Sequence, residues 1–129
     1  MQDALLYFTA MPVLLGDPKE AGRIAALLYR RHGITCRWVG NGSSMKLRIY
    51  ARRYPLYLPP NEEGERLYLR RLLDMAKEEP ARGIPCIIPC SPDAELFLTK
   101  CREELEEHFT LLPRPQGNAD PLCSLVHHV

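Results

Sequence analysis

No apolar run in this chain approaches the roughly 20 residues needed to cross a bilayer. The opening stretch, MQDALLYFTAMPVLL, holds an acid and lacks the basic start of a secretory leader. A cytoplasmic chain with no membrane partner is therefore expected. No CxxC pair occurs either. Of the five cysteines, Cys86 and Cys90 are the closest, and His32, His108, His127 and His128 form no ligand pattern with them. Structural zinc needs repeated short pairs, so no metal is expected, and buried free thiols in a reducing cytosol explain the cysteines better. The dinucleotide fingerprint G-x-G-x-x-G and the phosphate-loop GK[ST] are both missing. A net charge of +1 gives no general attraction to a polyanion, and no nucleic-acid partner is expected.

Acids are scarce in one half. Between Ala21 and Asn61 there are none, against eight arginines and lysines, while Glu62 to Thr110 holds twelve acids and seven bases. Either one rim is positive and suits a phosphate or carboxylate, or the two blocks interleave as ordinary solvated surface. The second is the simpler expectation.

What is present fits one globular domain: 129 residues, 46% hydrophobic and 26% charged. Pro12 to Leu15 is a short apolar run ending in Gly16 and reads as a buried strand. Asp17 can cap the following helix, Pro18 suits its first turn, and Glu20 stands three residues on, as in a capping box. Ala21, Ile24, Ala25 and Leu28 recur at helical spacing, Arg30 and Arg31 suit the last turn, and Gly33 ends it. Ile34 to Val39 predicts a second strand, parallel to the first through a right-handed crossover. Gly40 to Met45 (GNGSSM) is a loop rich in turn formers.

Tyr54 to Leu58 predicts a third strand, kept short or near an edge by Pro55, and Leu47 to Arg53 reads as a helical turn or an irregular approach. Asn61 can cap a second long helix whose apolar face is Leu69, Leu72, Leu73 and Ala76 and which Pro80 stops. Gly83 leads into IPCIIPC, an apolar run typical of an interior parallel strand. Ser91, Pro92 and Asp93 open a third helix, with Leu96, Phe97 and Leu105 inward and a break or bend between Thr99 and Arg102. Phe109 to Leu112 is the last strand. The expected fold is a three-layer α/β/α open sheet of four to five mostly parallel strands over residues 1–113, followed by a tail, 114–129, without a clear period.

Ligands of open parallel sheets sit beyond the carboxyl ends of the strands. Those ends carry Gly16 and Asp17, Gly40 and Asn41, and Ser91 and Asp93, and these six residues are the candidate ligand-binding set. Capping and chain reversal is the competing reading at Gly16, because Pro18 has no N–H and the Asp17 carboxylate repels phosphate. At Gly40 to Ser44 it is a plain connection. Cys90 stands where a helix dipole would lower its pKa, but no Cys–His motif supports catalysis, and no catalytic residue is assigned.

Three stretches, PVLLGDPKEAGRIAALLYRRHGITCRWVG, ARRYPLYLPPNEE and IPCIIPCSPDAELFLTKCREELEEHFTLLP, together resemble the N-terminal, Rossmann-like pre-ATP-grasp domain of ATP-grasp carboxylate–amine ligases. The resemblance covers residues 11–114 and lies in the order and spacing of all three. The chain departs from it where Pro92 separates Ser91 from Asp93 and where no small residues follow Gly16. The two lobes that hold ATP and magnesium in that family do not follow before Val129. The resemblance thus implies a stand-alone, non-catalytic binding or interaction module with no cofactor of its own. Its partner would be a separate ATP-grasp chain, a second copy, or a small carboxylate or amino acid. ATP and magnesium would enter only through a partner ATP-grasp chain, if this is the substrate-side subunit or remnant of a ligase. An independent Rossmann-like nucleotide-binding module is the further alternative, and the absent glycine fingerprint argues against it.

Overall fold

The computed structural model describes residues 10–55, 62–78, 84–117 and 119–122. In chain order the elements are β1 (Ala10–Leu15), α1 (Pro18–His32), β2 (Cys36–Gly40), α2 (Met45–Tyr50), β3 (Ala51–Pro55), α3 (Glu62–Glu78), β4 (Ile84–Pro89), α4 (Pro92–Lys100), α5 (Arg102–Glu106) and β5 (Thr110–Leu111). The five strands form one parallel sheet in the order β3-β2-β1-β4-β5. This is the Rossmann-like α/β arrangement, in which the chain builds outward from β1 on one side and then returns to build on the other.

The inner strands β1, β2 and β4 are buried on both faces, and period-two alternation sorts their side chains into two cores. Ala10, Leu14, Cys36, Trp38, Cys86 and Ile88 face Ala21, Ile24, Ala25 and Leu28 of α1 and Leu47 of α2. Val13, Leu15, Val39 and Ile87 face Tyr68, Leu72 and Met75 of α3, Ala94, Phe97 and Leu98 of α4, and Leu105 of α5. Helices thus cover both sides of the sheet.

The α1 punctuation acts as the residues suggest. Asp17 accepts the Glu20 amide at 2.9 Å, Pro18 begins the helix, and Gly33 closes it in the left-handed region at φ 68°. Only half of a capping box forms, because the Glu20 carboxylate is taken by Arg23. Four expectations are displaced. The second strand starts at Cys36 rather than Ile34, and Gly40 belongs to it. The segment Met45 to Tyr50 is a helix, because Ser44 caps it by accepting the Leu47 amide at 3.2 Å and Leu47 is buried. The third strand runs Ala51–Pro55, in register with β2 from Cys36↔Ala51 to Gly40↔Pro55. It starts three residues before the predicted Tyr54 to Leu58 and shares Tyr54 and Pro55 with it, while 56–58 lie outside the described residues, as do Asn61, Pro80 and Gly83.

The fourth concerns Leu96, which is 61% exposed. Ala94, Phe97 and Leu98 are buried with Cys101 packed against them, which is one helical stripe, and position 96 falls off it. The helix breaks after Lys100, within the expected interval. On α3 the fully buried line is Tyr68, Leu72 and Met75, with Leu69, Leu73 and Ala76 half-buried beside it. Leu72→Ala should therefore cost about 2–5 kcal/mol in urea unfolding, and Leu69→Ala clearly less, since a half-buried side chain leaves a smaller cavity. Past β5, Leu122 enters the core beside α1, and Asp120 accepts the Leu122 amide while meeting His32 Nε2 at 2.6 Å.

Candidate functional site

The β3-β2-β1-β4-β5 order puts the topological switch between β1 and β4, and the crevice outside their carboxyl ends is where such sheets take ligands. Two predicted residues from distant parts of the chain meet here. Gly16 has φ 106°, and a Cβ built on it would overlap Ser91 Oγ and come within 3.1 Å of Ser91 Cβ and 3.3 Å of Ala94 Cβ. Below this contact the Cys90 amide donates to Leu15 O at 2.7 Å, and Trp38 Nε1 donates to Gly16 O at 3.0 Å. At Gly16 the crevice is closed by the protein itself.

Each of the two flanking helices has one first-turn donor taken by a side-chain cap. Asp17 takes the Glu20 amide and Ser91 Oγ takes the Ala94 amide at 3.3 Å, while Pro18 and Pro92, which have no N–H, open α1 and α4. A phosphate at either end would have to displace a side-chain cap. The loop after β2 is held as well. Ser44 Oγ donates to Pro18 O at 2.9 Å, and a Cβ on Gly42 would lie 3.2 Å from Pro18 Cγ. Gly40 lies against Trp38, whose Cζ2 would sit 2.7 Å from an added Cβ. Gly16 and Gly40 thus pack on Trp38 and Ser91 packs on Gly16, whereas Asp17, Asn41 and Asp93 are exposed at the rim.

The ion pairs at these strand ends are made by residues outside that set. Glu20 and Arg23 form an ion pair on α1, and Arg114, just after β5, reaches Glu95 of α4 with Nε to Oε1 at 2.7 Å. The Arg23 hydrogen bond holds the Glu20 carboxyl below its usual range against the opposing effect of burial, and the positive charges of Arg23 and Arg114 add to it. Arg114 therefore acts on carboxylates from both layers. Its position directly after the LLP of the last strand was a readable signal under the strand-end rule, but the charge partners Glu20 and Glu95 were not. Beside this cluster lies a groove of about 250 Å³, and none of the six predicted residues lines it.

Cys90 behaves opposite to the expectation from its place near a helix start. Burial, and next the negative charge of Glu20, push its thiol up to about 12. Burial also takes Cys86 up to about 12 and raises Cys36. Desolvation outweighs the dipole because the sulfur is inside the core, with Sγ 3.6 Å from Ile88 O. These thiols should resist iodoacetamide in the folded chain and react once it opens, with the half-buried Cys101 alkylated first among the four described; peptide mapping by mass spectrometry reads this directly. Each folded pKa lies above the ordinary 9.0, so the linked stability is whole below pH 9 and is lost as pH rises towards 12. Alkaline unfolding should begin in that interval.

Among the described residues there is no group of three or more histidine, cysteine or acidic side chains placed to hold a metal ion, and no helix long and apolar enough to cross a membrane. Comparison with protein-family models, with curated proteins and with solved structures finds no match for this chain.

Proposed function

We propose that the chain is a non-catalytic binding or interaction module of the pre-ATP-grasp kind, working in the cytoplasm, rather than a nucleotide-binding domain. One observation carries this reading: the switch-point crevice is filled by Ser91 seated on Gly16. Nucleotide-binding sheets keep that space open, so that a glycine backbone and a helix start can approach a pyrophosphate. The three buried thiols, held protonated, suit a reducing compartment. Binding then falls to the rim, where Arg23 and Arg114 offer guanidinium groups to a small carboxylate.

A second reading draws on those same arginines. In it the chain is the substrate-side part of an ATP-dependent ligase whose ATP-grasp lobes lie on another chain. Purified protein with ATP, magnesium and a mixture of carboxylates and amino acids should release no ADP, and titration with ATP or NAD should give no binding heat. Magnesium-dependent ADP release by this chain alone would sink the non-catalytic reading, and tight ATP or NAD binding would restore the nucleotide-binding one.

A further inference from the structure

Beyond the carboxyl ends of β4 and β5, α4 and the segment leaving β5 enclose the groove of about 250 Å³. Leu98, Leu111 and Leu112 line it as an apolar floor, and Glu95, Arg102 and Arg114 stand around them. Leu98 and Leu112 are almost wholly buried, at 6% and 3% exposure, so the floor is a continuation of the core. The Glu95–Arg114 ion pair joins the two walls through Arg114 Nε, and the two Nη atoms of a guanidinium carry four further N–H donors. Arg102 adds a second guanidinium. Its partner Glu106 is 3.8 Å away and both are more than half exposed, so water screens that pair heavily.

The groove thus presents two guanidiniums and one carboxylate, and the carboxylate is already engaged. Glu106 offsets Arg102 only through a screened contact from outside the lining, so a carboxylate suits the two lining guanidiniums better than an ammonium, which would meet two like charges. The volume lies below the ~300–1,000 Å³ usual for pockets that take drug-sized ligands, which restricts the occupant to a small metabolite. A peptide would need backbone partners, but the Leu112 amide already donates to Ile87 O and Thr99 Oγ1 to Glu95 O.

We propose that this groove binds a short aliphatic monocarboxylate, with its alkyl chain on Leu98, Leu111 and Leu112 and its carboxylate on the Arg114 guanidinium. Arg102 supplies additional positive potential. The inference rests on the binding-module reading and names its ligand class, while moving the site from the Gly16–Ser91 contact to the neighbouring strand ends.

The test is a methyl-resolved NMR titration of the full chain with 4-methylpentanoate as the probe. The methyl resonances of Leu98, Leu111 and Leu112 should shift and saturate. The uncharged 4-methylpentanamide should bind about tenfold more weakly or worse, the weight of one charge-assisted contact. Arg114→Gln should weaken the acid by a similar factor, and Arg114→Lys should recover part of it. Glu95→Gln removes the competing carboxylate and should leave the acid bound as tightly or more so, an outcome that mere damage to the fold would not produce. Equal affinity for acid and amide, an Arg114→Gln variant that binds like wild type, or silent methyls at millimolar acid would overturn the proposal. Tighter binding of leucine, or of a peptide ending in leucine, would overturn the ligand class. ADP measured in the same samples after addition of ATP and magnesium keeps the two readings apart. Methyl shifts with ADP release would reject the non-catalytic reading alone, and silent methyls without ADP would reject the groove alone.

Discussion

Gly16→Ala is expected to destabilise the protein by about 2–6 kcal/mol, combining roughly 1–3 for a side chain forced to a disfavoured positive φ with roughly 1–3 for overpacking. The first part follows from φ 106°, and the second from Ser91 Oγ, Ser91 Cβ and Ala94 Cβ, which surround the position a Cβ would take. Against the ~5–15 kcal/mol by which domains are typically stable, this is a large share of the total. Urea unfolding followed by tryptophan fluorescence measures it with one reporter, because Trp38 is the single tryptophan. Ser91→Gly should cost only a few tenths of a kcal/mol as a cap change. Combined with Gly16→Ala it should restore the overpacking part and leave the backbone strain. A Gly16→Ala variant within about 0.5 kcal/mol of wild type, the usual range for an inconsequential surface change, would mean that the crevice can open, and would revive a ligand there.

The second large effect belongs to Trp38. Its side chain is 1% exposed and packs in the core beneath α1, with Gly40 against its ring. Trp38→Ala should cost about 3–5 kcal/mol, in the range of large aromatic truncations. Trp38→Phe isolates the polar component: it keeps much of the ring but removes the donor to Gly16 O. If that carbonyl loses its partner without gaining water, the cost is about 1–3 kcal/mol, read by circular dichroism during denaturation. Because Trp38 holds the Gly16 peptide, Trp38→Phe and Gly16→Ala should be non-additive in a double-mutant cycle.

The features read correctly from the residues are those whose cause is local. Asp17, Pro18 and Gly33 bound α1 by capping, by a preset φ and by a left-handed stop, and each acts within a few residues. Ser91 and Pro92 start α4 in the same way. Even the apolar run IPCIIPC is a local statement that both faces of β4 are covered. The displaced boundary of β3 has a non-local cause. Its start at Ala51 follows from pairing with Cys36 and from the α2 turn capped by Ser44, and the string KLRIYARRYP does not express that pairing. The exposed Leu96 and the buried Tyr68 and Met75 are similar cases, since apolar spacing defines a stripe only to within one position until the sheet beneath it sets the rotation.

The candidate site divides along the same line. Gly16 and Ser91 were both visible as strand-end residues, but their contact was not, because it depends on β4 returning beside β1. That return turns two apparent ligand contacts into a packed joint, and the pairing of β5 with β4 carries Arg114 to Glu95, at the edge of a groove that the six predicted residues do not touch. By itself, the sequence determined the fold class, the caps and the inward faces of most elements, since propensity, capping and alternation act over a few residues. Only the tertiary structure decided which strand ends are closed and which are open, because that is set by contacts between residues brought together by sheet order.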